Sequence, residues 1–312
     1  MAEKRLTLAF LNIYQNKVNR GAETYVAQLS TRLEKIFKVD VISNINYLKL
    51  LKSQYDVIIP TNGRGQVLLT KIVCLLSGAK MVVSGQSGLG ADDKWNLMCF
   101  PDVFVALTKH QRDWARKFNR FVRVVVIPNG VDINKFSSKN TAIKIDLTKP
   151  VVLSVGALEE SKRLDLLIKA ISETAASLLL VGKGSQEKKL SKLGNSLLPN
   201  RFKIMNFSHS QMPWVYPAAD LFVYPTVPWE SFGIAMLEAL ACNIAVVAVD
   251  DPIRREIVGD AGEFVDPADI QKFADTIKKA LDSKWENKPR AQAEKFSWDK
   301  IATEYEKLLL TL

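Results

Sequence analysis

Short apolar runs alternate with stretches of helical periodicity along almost the whole chain. In the first half, the apolar runs at residues 6–13, 55–60 and 103–107 predict buried strands. The segments at residues 22–37 and Lys109–Phe118 follow such runs and predict helices. This alternation is typical of a parallel sheet that is covered by helices.

A polar stretch at residues 137–149 interrupts the alternation, and a second series of strands and helices follows. Its predicted strands are at residues 151–155, 177–181, 202–205, 221–224 and 245–248, and its predicted helices are at residues 164–174, 186–193 and 232–241. We therefore predict an α/β chain of two doubly wound, Rossmann-like domains, at residues 1–136 and 150–296, joined by the polar stretch as a linker. Residues 297–312 predict an amphipathic helix that returns toward the first domain. Because open parallel sheets bind ligands beyond the C-terminal ends of their strands, we expect the two domains to face a central cleft.

The composition is that of an ordinary folded protein, with 47% apolar and 24% charged residues in 312. Disordered and low-complexity chains are thereby excluded. The three cysteines, Cys74, Cys99 and Cys242, have no paired spacing and there are two histidines, so zinc and disulfide frameworks are not expected. Since the chain has no signal-like N-terminus and no apolar window of about 18 residues, we expect a cytoplasmic protein without a membrane span.

The net positive charge of +10 lies entirely in the first half of the chain. Residues 1–138 hold 20 Lys and Arg against 10 Asp and Glu, whereas residues 139–312 hold 23 of each sign. A basic half attracts nucleic acid, anionic lipid or an acidic substrate, or it is simply a solvated basic face. The charge alone leaves these alternatives open.

The segment at residues 225–241 carries the most informative chemistry. It follows the apolar strand Leu221–Tyr224 and places Glu230 at a turn and Glu238 eight residues later. If residues 232–241 are helical, the two carboxylates lie about 12 Å apart along the axis. Ser231, Phe232 and Gly233 would then open the helix with unpaired backbone N–H groups, an arrangement that suits an anion carrying hydroxyl groups.

Glu230-Ser-Phe-Gly233 followed by Glu238 resembles the Glu-x7-Glu motif of retaining family-4 glycosyltransferases, which have the GT-B fold. Further segments resemble the family's motifs and occur in the expected order: Arg20-Gly-Ala-Glu23, Ile127-Pro-Asn-Gly-Val-Asp132 with Phe136, Val155-Gly156, Lys162, Leu164-Asp-Leu-Leu167, Val181-Gly-Lys-Gly184, Pro217-Ala-Ala-Asp220, Glu256-Ile-Val-Gly259 and Phe296-Ser-Trp298. The resemblance covers the chain from about residue 5 to residue 310.

The resemblance implies a UDP- or GDP-linked sugar donor that is held mainly by the C-terminal domain. Glu238 would accept hydrogen bonds from the ribose hydroxyls, Glu230 would bind the transferred hexose, and Lys162 would neutralise the diphosphate. The donor-binding set that it implies is Gly21, Gly156, Lys162, Ser231, Phe232, Gly233 and Glu238. Further contacts to acceptor or sugar are Glu23, Ser84 and Gln86, and the catalytic residues are Glu230 and Lys162.

The reaction implied is transfer of a hexose, with retention of configuration, to a glycan or lipid-linked acceptor in the synthesis of surface polysaccharide or glycolipid. The N-terminal domain would bind that acceptor, and its basic charge motivates the hypothesis of peripheral docking at the inner membrane face. Since the sequence has no Asp-x-Asp pair and no His cluster, we expect neither a metal nor another cofactor. No nucleic-acid partner is expected, because an acidic pair in the site does not suit one.

Three departures from the family pattern keep an alternative open. Ala157 stands where the family usually has a second phosphate-binding Arg, and no His occurs in the region of Gln86. Arg20 and Asn243 replace the usual glycines of two further motifs. The alternatives are therefore a catalytically silent nucleotide-sugar-binding subunit and, less favoured by the two glutamates, a sugar-nucleotide epimerase.

Overall fold

The computed structural model describes residues 5–15, 17 and 21–312. The chain divides into two compact units. The first comprises the residues up to Gly130 together with Trp229–Phe232 and Trp298–Leu312, and the second comprises Val131–Pro228 and Gly233–Ser297. The stretch at residues 137–149 thus belongs to the second unit, and the C-terminal helix belongs to the first.

The first unit is built on a parallel six-stranded sheet with the order β2-β1-β3-β4-β5-β6. Its strands are β1 (Thr7–Leu11), β2 (Lys38–Ile42), β3 (Val57–Pro60), β4 (Lys80–Ser84), β5 (Val103–Ala106) and β6 (Arg123–Val126). The helices between them are α1 (Gly21–Leu33), α2 (Tyr47–Lys52), α3 (Arg64–Ser77), α4 (Ala91–Met98) and α5 (Lys109–Phe118).

The second unit repeats the design, with the strand order β12-β11-β10-β7-β8-β9. Its strands are β7 (Val151–Val155), β8 (Ser177–Val181), β9 (Phe202–Met205), β10 (Leu221–Tyr224), β11 (Val246–Val249) and β12 (Gly262–Val265). Its helices are α6 (Leu164–Ser172), α7 (Glu187–Leu197), α8 (Met212–Val215), α9 (Ile234–Ala241), α10 (Pro252–Val258), α11 (Ile270–Asp282) and α12 (Lys288–Glu294). The last helix of the chain, α13 (Trp298–Leu309), packs against α1 in the first unit.

The first sheet has a hydrophobic core on each face, because successive strand residues point to opposite sides. On one face, α1 and α13 bury Tyr25, Trp298 and Tyr305 against strand residues such as Phe10. The hydroxyl of Tyr25 donates to that of Tyr305 at 3.0 Å, so these buried rings also satisfy their polar ends. On the other face, the core includes residues of α2, α3, α4 and α5 packed on Met81 and other strand residues.

The prediction of an α/β chain with two doubly wound domains is confirmed. Four strands of the second sheet, β7, β8, β9 and β10, have the predicted bounds. The elements α10, β12, α11 and α12 have no counterpart in the predicted series. Among the described residues, every helix is too short or too polar to cross a membrane.

Candidate active site

The loop after β7 places Lys162 at the C-terminal edge of the second sheet. It runs from Gly156 through a turn of 3-10 helix at Glu160–Lys162 into α6. The adjacent loop after β8 approaches so closely that a Cβ on Gly182 would lie 1.9 Å from the Gly156 carbonyl oxygen. Only glycine is compatible with that approach at residue 182, and the two loops pack together at the strand ends.

A small cavity at this edge brings several predicted donor residues together. It is lined by residues of the β7 and β10 ends, including Gly156, Ala157, Lys162, Tyr224 and Thr226. The Lys162 ammonium lies 5.3 Å from the centre of the Tyr224 ring and donates to its hydroxyl at 3.2 Å. Lys162 is the one charged residue in this lining, since residue 157 is alanine. The cavity, of about 10 Å³, has room for no more than a water molecule, so a phosphate at its mouth would meet this one cation of the lining.

Glu238 lies in the second turn of α9, and it is buried. Its Oε2 accepts a hydrogen bond of 2.6 Å from the Tyr216 hydroxyl. Burial raises the pKa of Glu238 to about 7, although the Tyr216 hydroxyl and the charge of Lys135 oppose that rise. Tyr216 is itself packed edge-on against Phe136 at 5.8 Å, so the carboxylate has a fixed direction.

The helix after Glu230 begins later than predicted. We predicted a helix from residue 232, but α9 starts at Ile234, because Gly233 has left-handed backbone angles (φ +90°, ψ +67°) and acts as the N-cap. A Cβ on Gly233 would lie 2.9 Å from the Tyr224 ring. Ser231 and Phe232 therefore precede the helix, so the estimate of 12 Å along one axis is wrong.

The later start of α9 also changes which backbone N–H groups are available to an anion. The first helical N–H groups belong to Ile234 and Ala235, whereas that of Met236 donates to the Gly233 carbonyl at 3.0 Å. The side chain of Phe232 is buried and serves packing. The positive end of α9 thus begins two residues beyond the predicted start.

In the first unit, the loop after β4 lies beside the segment that carries Glu230. A Cβ on Gly88 would come within 2.5 Å of the Trp229 carbonyl oxygen, so the two backbones are in close contact. Gln86, in the same loop, donates to Ser84 Oγ at 3.0 Å and exchanges hydrogen bonds with the Asn129 amide at 3.0 and 2.9 Å. The loop after β4 therefore holds Ser84 and Gln86 together, and its Gly88 backbone contacts the segment that carries Glu230.

A buried acid, Asp93, is linked to this loop through the side chain of Gln111, and sequence reasoning missed it. Asp93 accepts from Asn96 at 3.0 Å and from Gln111 at 3.1 Å, and the same Gln111 amide donates to the Gly85 carbonyl at 2.8 Å. Burial raises the pKa of Asp93 to about 7. In the sequence, Asp93 resembles any acid in the first turn of a helix, so no signal marked it.

Gly21 and Glu23 open α1, where Gly21 is exposed and Glu23 is buried. Within the described part of the chain, Glu23 Oε2 has no hydrogen-bond partner. Such a buried acceptor is costly unless a ligand or water supplies a donor, so Glu23 stays a candidate for hydroxyl binding. Arg20, which replaces the family's first loop glycine, lies outside the described residues.

A cavity of about 510 Å³ opens at the C-terminal ends of β2 and β3 in the first unit. Its lining is polar and includes Asn44, Tyr47, Asn62, Arg64 and Gln66. Sequence reasoning did not identify it, because its walls come from three separate segments of the chain. Amides, a phenol and a guanidinium together are suited to binding hydroxyl-rich or anionic molecules.

The two histidines have ordinary surroundings. His110 is exposed in the first turn of α5. His209 packs against the Phe136 ring at 6.1 Å, and burial together with the charge of Lys135 lowers its pKa. It follows the loop at residues 206–208, where we predict the nucleobase. Among the described residues, no three His, Cys, Asp or Glu side chains cluster as a metal site would require.

A known protein family matches the second half of the chain. The family model described as Glycosyl transferases group 1 matches residues 136–297, which is more than half of the chain. The chain belongs to this family. The match includes Lys162, Tyr216 and Glu238 and extends over nearly all of the second unit.

The curated relatives of this glycosyl transferases group 1 protein include enzymes of glycan and glycolipid synthesis. It is 38% identical over 98 residues to O-antigen chain mannosyltransferase B of Escherichia coli, covering 30% of this chain and 26% of the relative. It is 32% identical over 194 residues to D-inositol 3-phosphate glycosyltransferase of Mycolicibacterium smegmatis, covering 56% and 44% respectively. The aligned segments thus span less than half the length of these relatives.

Solved structures resemble the whole chain in fold. Anabaena HepE in complex with UDP and glucose has a TM-score of 0.80 at 20% identity, covering 98% of this chain and 100% of that one. Sucrose-phosphate synthase of Thermosynechococcus elongatus has a TM-score of 0.80 at 19% identity, covering 98% and 99%. At these identities the likeness shows the fold alone, which is GT-B, as the motifs predicted.

Proposed function

We propose that the protein is a retaining glycosyltransferase that moves a hexose from a nucleotide-diphosphate sugar to a glycan or lipid-linked acceptor. The observation that carries this proposal is the cavity at the β7 and β10 ends, where Lys162 is the only charged residue of the lining and Gly156 leaves the backbone accessible. This cavity lies within the region that matches the family. The names of the relatives, and the UDP-glucose bound by HepE, support the same class of donor.

Lys162 would stabilise the diphosphate of the donor, both when it binds and when it leaves. A charge-assisted hydrogen bond from an ammonium to a phosphate contributes roughly 1.5 to 3 kcal/mol. The N–H groups of Ile234 and Ala235, at the positive end of α9, would add donors to the same charge. With these groups the developing negative charge needs no metal, so we propose a metal-independent reaction without a cofactor.

The two glutamates would bind hydroxyl groups of the donor. Glu238 already accepts one hydrogen bond from Tyr216, and a carboxylate has lone pairs for more, so a ribose hydroxyl would join an existing acceptor. Glu230 would contact the hexose. Gly21, Glu23, Ser84 and Gln86 would contribute contacts from the first unit to donor or acceptor.

Retention requires that the acceptor oxygen attack the anomeric carbon on the face from which the diphosphate departs. The bond from that carbon to the phosphate oxygen breaks, and a new bond forms to the acceptor oxygen. The proton of the acceptor hydroxyl passes to a phosphate oxygen of the leaving nucleoside diphosphate. Because the leaving group takes this proton, a separate side-chain base is not needed.

The first unit would supply the acceptor site. Its cavity of about 510 Å³ is lined by amides, Tyr47 and Arg64, which suits a hydroxyl-rich or anionic acceptor. The excess of basic residues in this half supports peripheral association with the cytoplasmic face of an anionic membrane, where a lipid-linked acceptor would be presented. The three free cysteines agree with a reducing compartment.

A second candidate is a catalytically silent subunit that binds the nucleotide sugar without transferring it. Two observations favour it. Ala157 leaves Lys162 as the sole cation of the cavity lining, and the loop after β4 presents a Gln86 amide that is already engaged. The loss of one cation at such a site reduces leaving-group stabilisation by roughly 2 to 4 kcal/mol.

A transfer assay separates the two candidates. The protein is incubated with UDP- and GDP-hexoses and a bacterial lipid extract, and release of nucleotide and of labelled glycolipid is followed. We expect transfer from one donor, with the product's anomeric configuration by NMR equal to that of the donor. Binding of a donor with no transfer would establish the silent subunit, and an inverted product would contradict retention.

A further inference from the structure

Helix α3 is apolar on both of its faces. Its inner face packs on the sheet through Val67, Val73 and Cys74. Its outer face is a continuous stripe of side chains that are 44% to 71% exposed, namely Leu68, Leu69, Ile72, Leu75 and Leu76. A helix that is hydrophobic all round is normally covered by something, and exposed patches of this kind mark interaction sites.

The neighbouring helices extend this stripe. Helix α3 packs beside α4, and α4 packs beside α5. Helix α4 exposes Trp95 and Met98, which are three residues apart and lie on one face. At the end of α5, Phe118 is 40% exposed and Phe121, just beyond it, is 76% exposed. We call the exposed side chains of α3 together with Trp95, Met98, Phe118 and Phe121 the docking face.

Basic side chains are interleaved with the aromatic part of the docking face. Residues 109–123 contain six Lys and Arg and one acid, Asp113, which pairs with Arg112 at 2.8 Å. The Lys94 ammonium lies 5.9 Å from the centre of the Phe118 ring, and the Arg120 guanidinium lies 5.0 Å from that of Phe121. Lys94 and Arg120 therefore lie over exposed aromatic rings of the docking face.

Two further acids near this face are also paired, and Asp93 of α4 is buried. Asp92 forms an ion pair with Arg64, and Asp102 lies 3.4 Å from the Lys80 ammonium. The field of this face is consequently positive, in agreement with the charge of the first half of the sequence. Protein interfaces are depleted in lysine, whereas an apolar surface with aromatic residues and many Lys and Arg suits the headgroup region of an anionic bilayer.

We propose that the docking face binds the surface of an anionic lipid bilayer. The leucine stripe of α3 would enter the boundary between headgroups and acyl chains, and the cations of α5 would contact the phosphates. Helix α3 begins at Arg64, which lines the 510 Å³ cavity of the first unit. A lipid-linked acceptor would then enter this cavity from the membrane. This last step rests on the proposed function.

Vesicle flotation tests the proposal with the full chain. The probes are vesicles of phosphatidylcholine alone and of phosphatidylcholine mixed with phosphatidylglycerol. We expect binding to the mixed vesicles only, weakened about tenfold or more by Leu75→Gln with Leu76→Gln, and by a similar factor by Lys117→Glu with Arg120→Glu. The matched control is Leu310→Gln on the far end of the chain, which is 62% exposed and lies outside the docking face.

The outcomes are distinct from those of the proposed function. Nucleotide binding by the Leu75/Leu76 variant should equal that of the wild type, which also shows that the variant folds. Absence of wild-type binding to the mixed vesicles, or equal binding by all variants, would overturn the docking face while leaving the donor site untouched. A wild-type dimer that the leucine substitutions convert to monomer, measured by light scattering without lipid, would show that a second copy covers this face and would likewise overturn the proposal.

Discussion

At the scale of single residues, Glu238 is a buried acid that accepts a hydrogen bond from the Tyr216 hydroxyl. The motif resemblance implies a donor-binding role for it, and the structure places it in the second turn of α9. Its partner Tyr216 could not be predicted, because the contact joins residues 22 positions apart through the packing of a 3-10 turn on α9. The same holds for the hydrogen bonds from Gln111 to Asp93 and from Gln86 to Asn129, which join residues 18 and 43 positions apart.

The raised pKa of Glu238 predicts a dependence of stability on pH. The pKa is about 7 in the folded protein against 4.5 for a free glutamate, so the folded state holds this proton more tightly than the unfolded state. The stability from this group is therefore fully present below pH 4.5 and is lost as the pH rises toward 7, by up to about 3 kcal/mol.

Glu238→Gln removes this titration and keeps an acceptor for Tyr216. We expect the variant to gain stability relative to the wild type between pH 5 and pH 8, measured as the difference in urea-unfolding free energy at each pH. Glu304→Gln, at an exposed position of α13, is the control and should show no such change. If the difference in unfolding free energy between Glu238→Gln and the wild type were the same at pH 5 and at pH 8, it would contradict the burial of an ionisable Glu238.

Lys162 predicts discrimination between nucleotides by their phosphates. Lys162→Ala should weaken binding of a nucleoside diphosphate by roughly 1.5 to 3 kcal/mol and leave binding of the free nucleoside nearly unchanged, because only the charged hydrogen bond is lost. Calorimetry with both ligands checks this. Lys169→Ala, at an exposed position of α6, is the matched control, and an equal loss for nucleoside and diphosphate would contradict the assigned role.

At the scale of elements, strands were predicted more accurately than helix starts. Buried strands such as β7 and β8 form continuous apolar runs, which the sequence displays directly. The start of α9 was predicted two residues too early, since Gly233 has a left-handed conformation that hydrophobic periodicity does not reveal. The helices α10, α11 and α12 were not predicted, although α11 buries Phe273, Ala274 and Ile277 at helical spacing.

Gly233 gives a prediction for this element. Gly233→Ala must place a Cβ 2.9 Å from the Tyr224 ring on a backbone with φ +90°, so we expect a loss of about 1 to 3 kcal/mol in the free energy of unfolding. Gly65→Ala in α3 has open space and an ordinary backbone, so it should be neutral or stabilising. Urea unfolding of both variants checks this, and an unchanged Gly233→Ala would contradict the left-handed cap.

At the scale of the whole molecule, the fold class followed from the alternation of strands and helices, and the family followed from the order of the motifs. Residues 136–297 match the glycosyl transferases group 1 model, and the full chain shares its fold with solved GT-B structures. The 510 Å³ cavity and the proposed docking face were not predictable as sites, because they combine side chains from several segments of the chain. Only the basic charge of the first half pointed toward them.

The most direct test of the donor site is calorimetric titration of the wild type and of Glu238→Ala with UDP, GDP and ADP. We predict micromolar binding of one nucleotide, weakened by about 1 to 3 kcal/mol in the variant, because the ribose loses a charged hydrogen-bond acceptor. Glu304→Ala should bind like the wild type. Absence of binding by all three nucleotides, or equal binding by wild type and Glu238→Ala, would contradict a donor site built on Glu238.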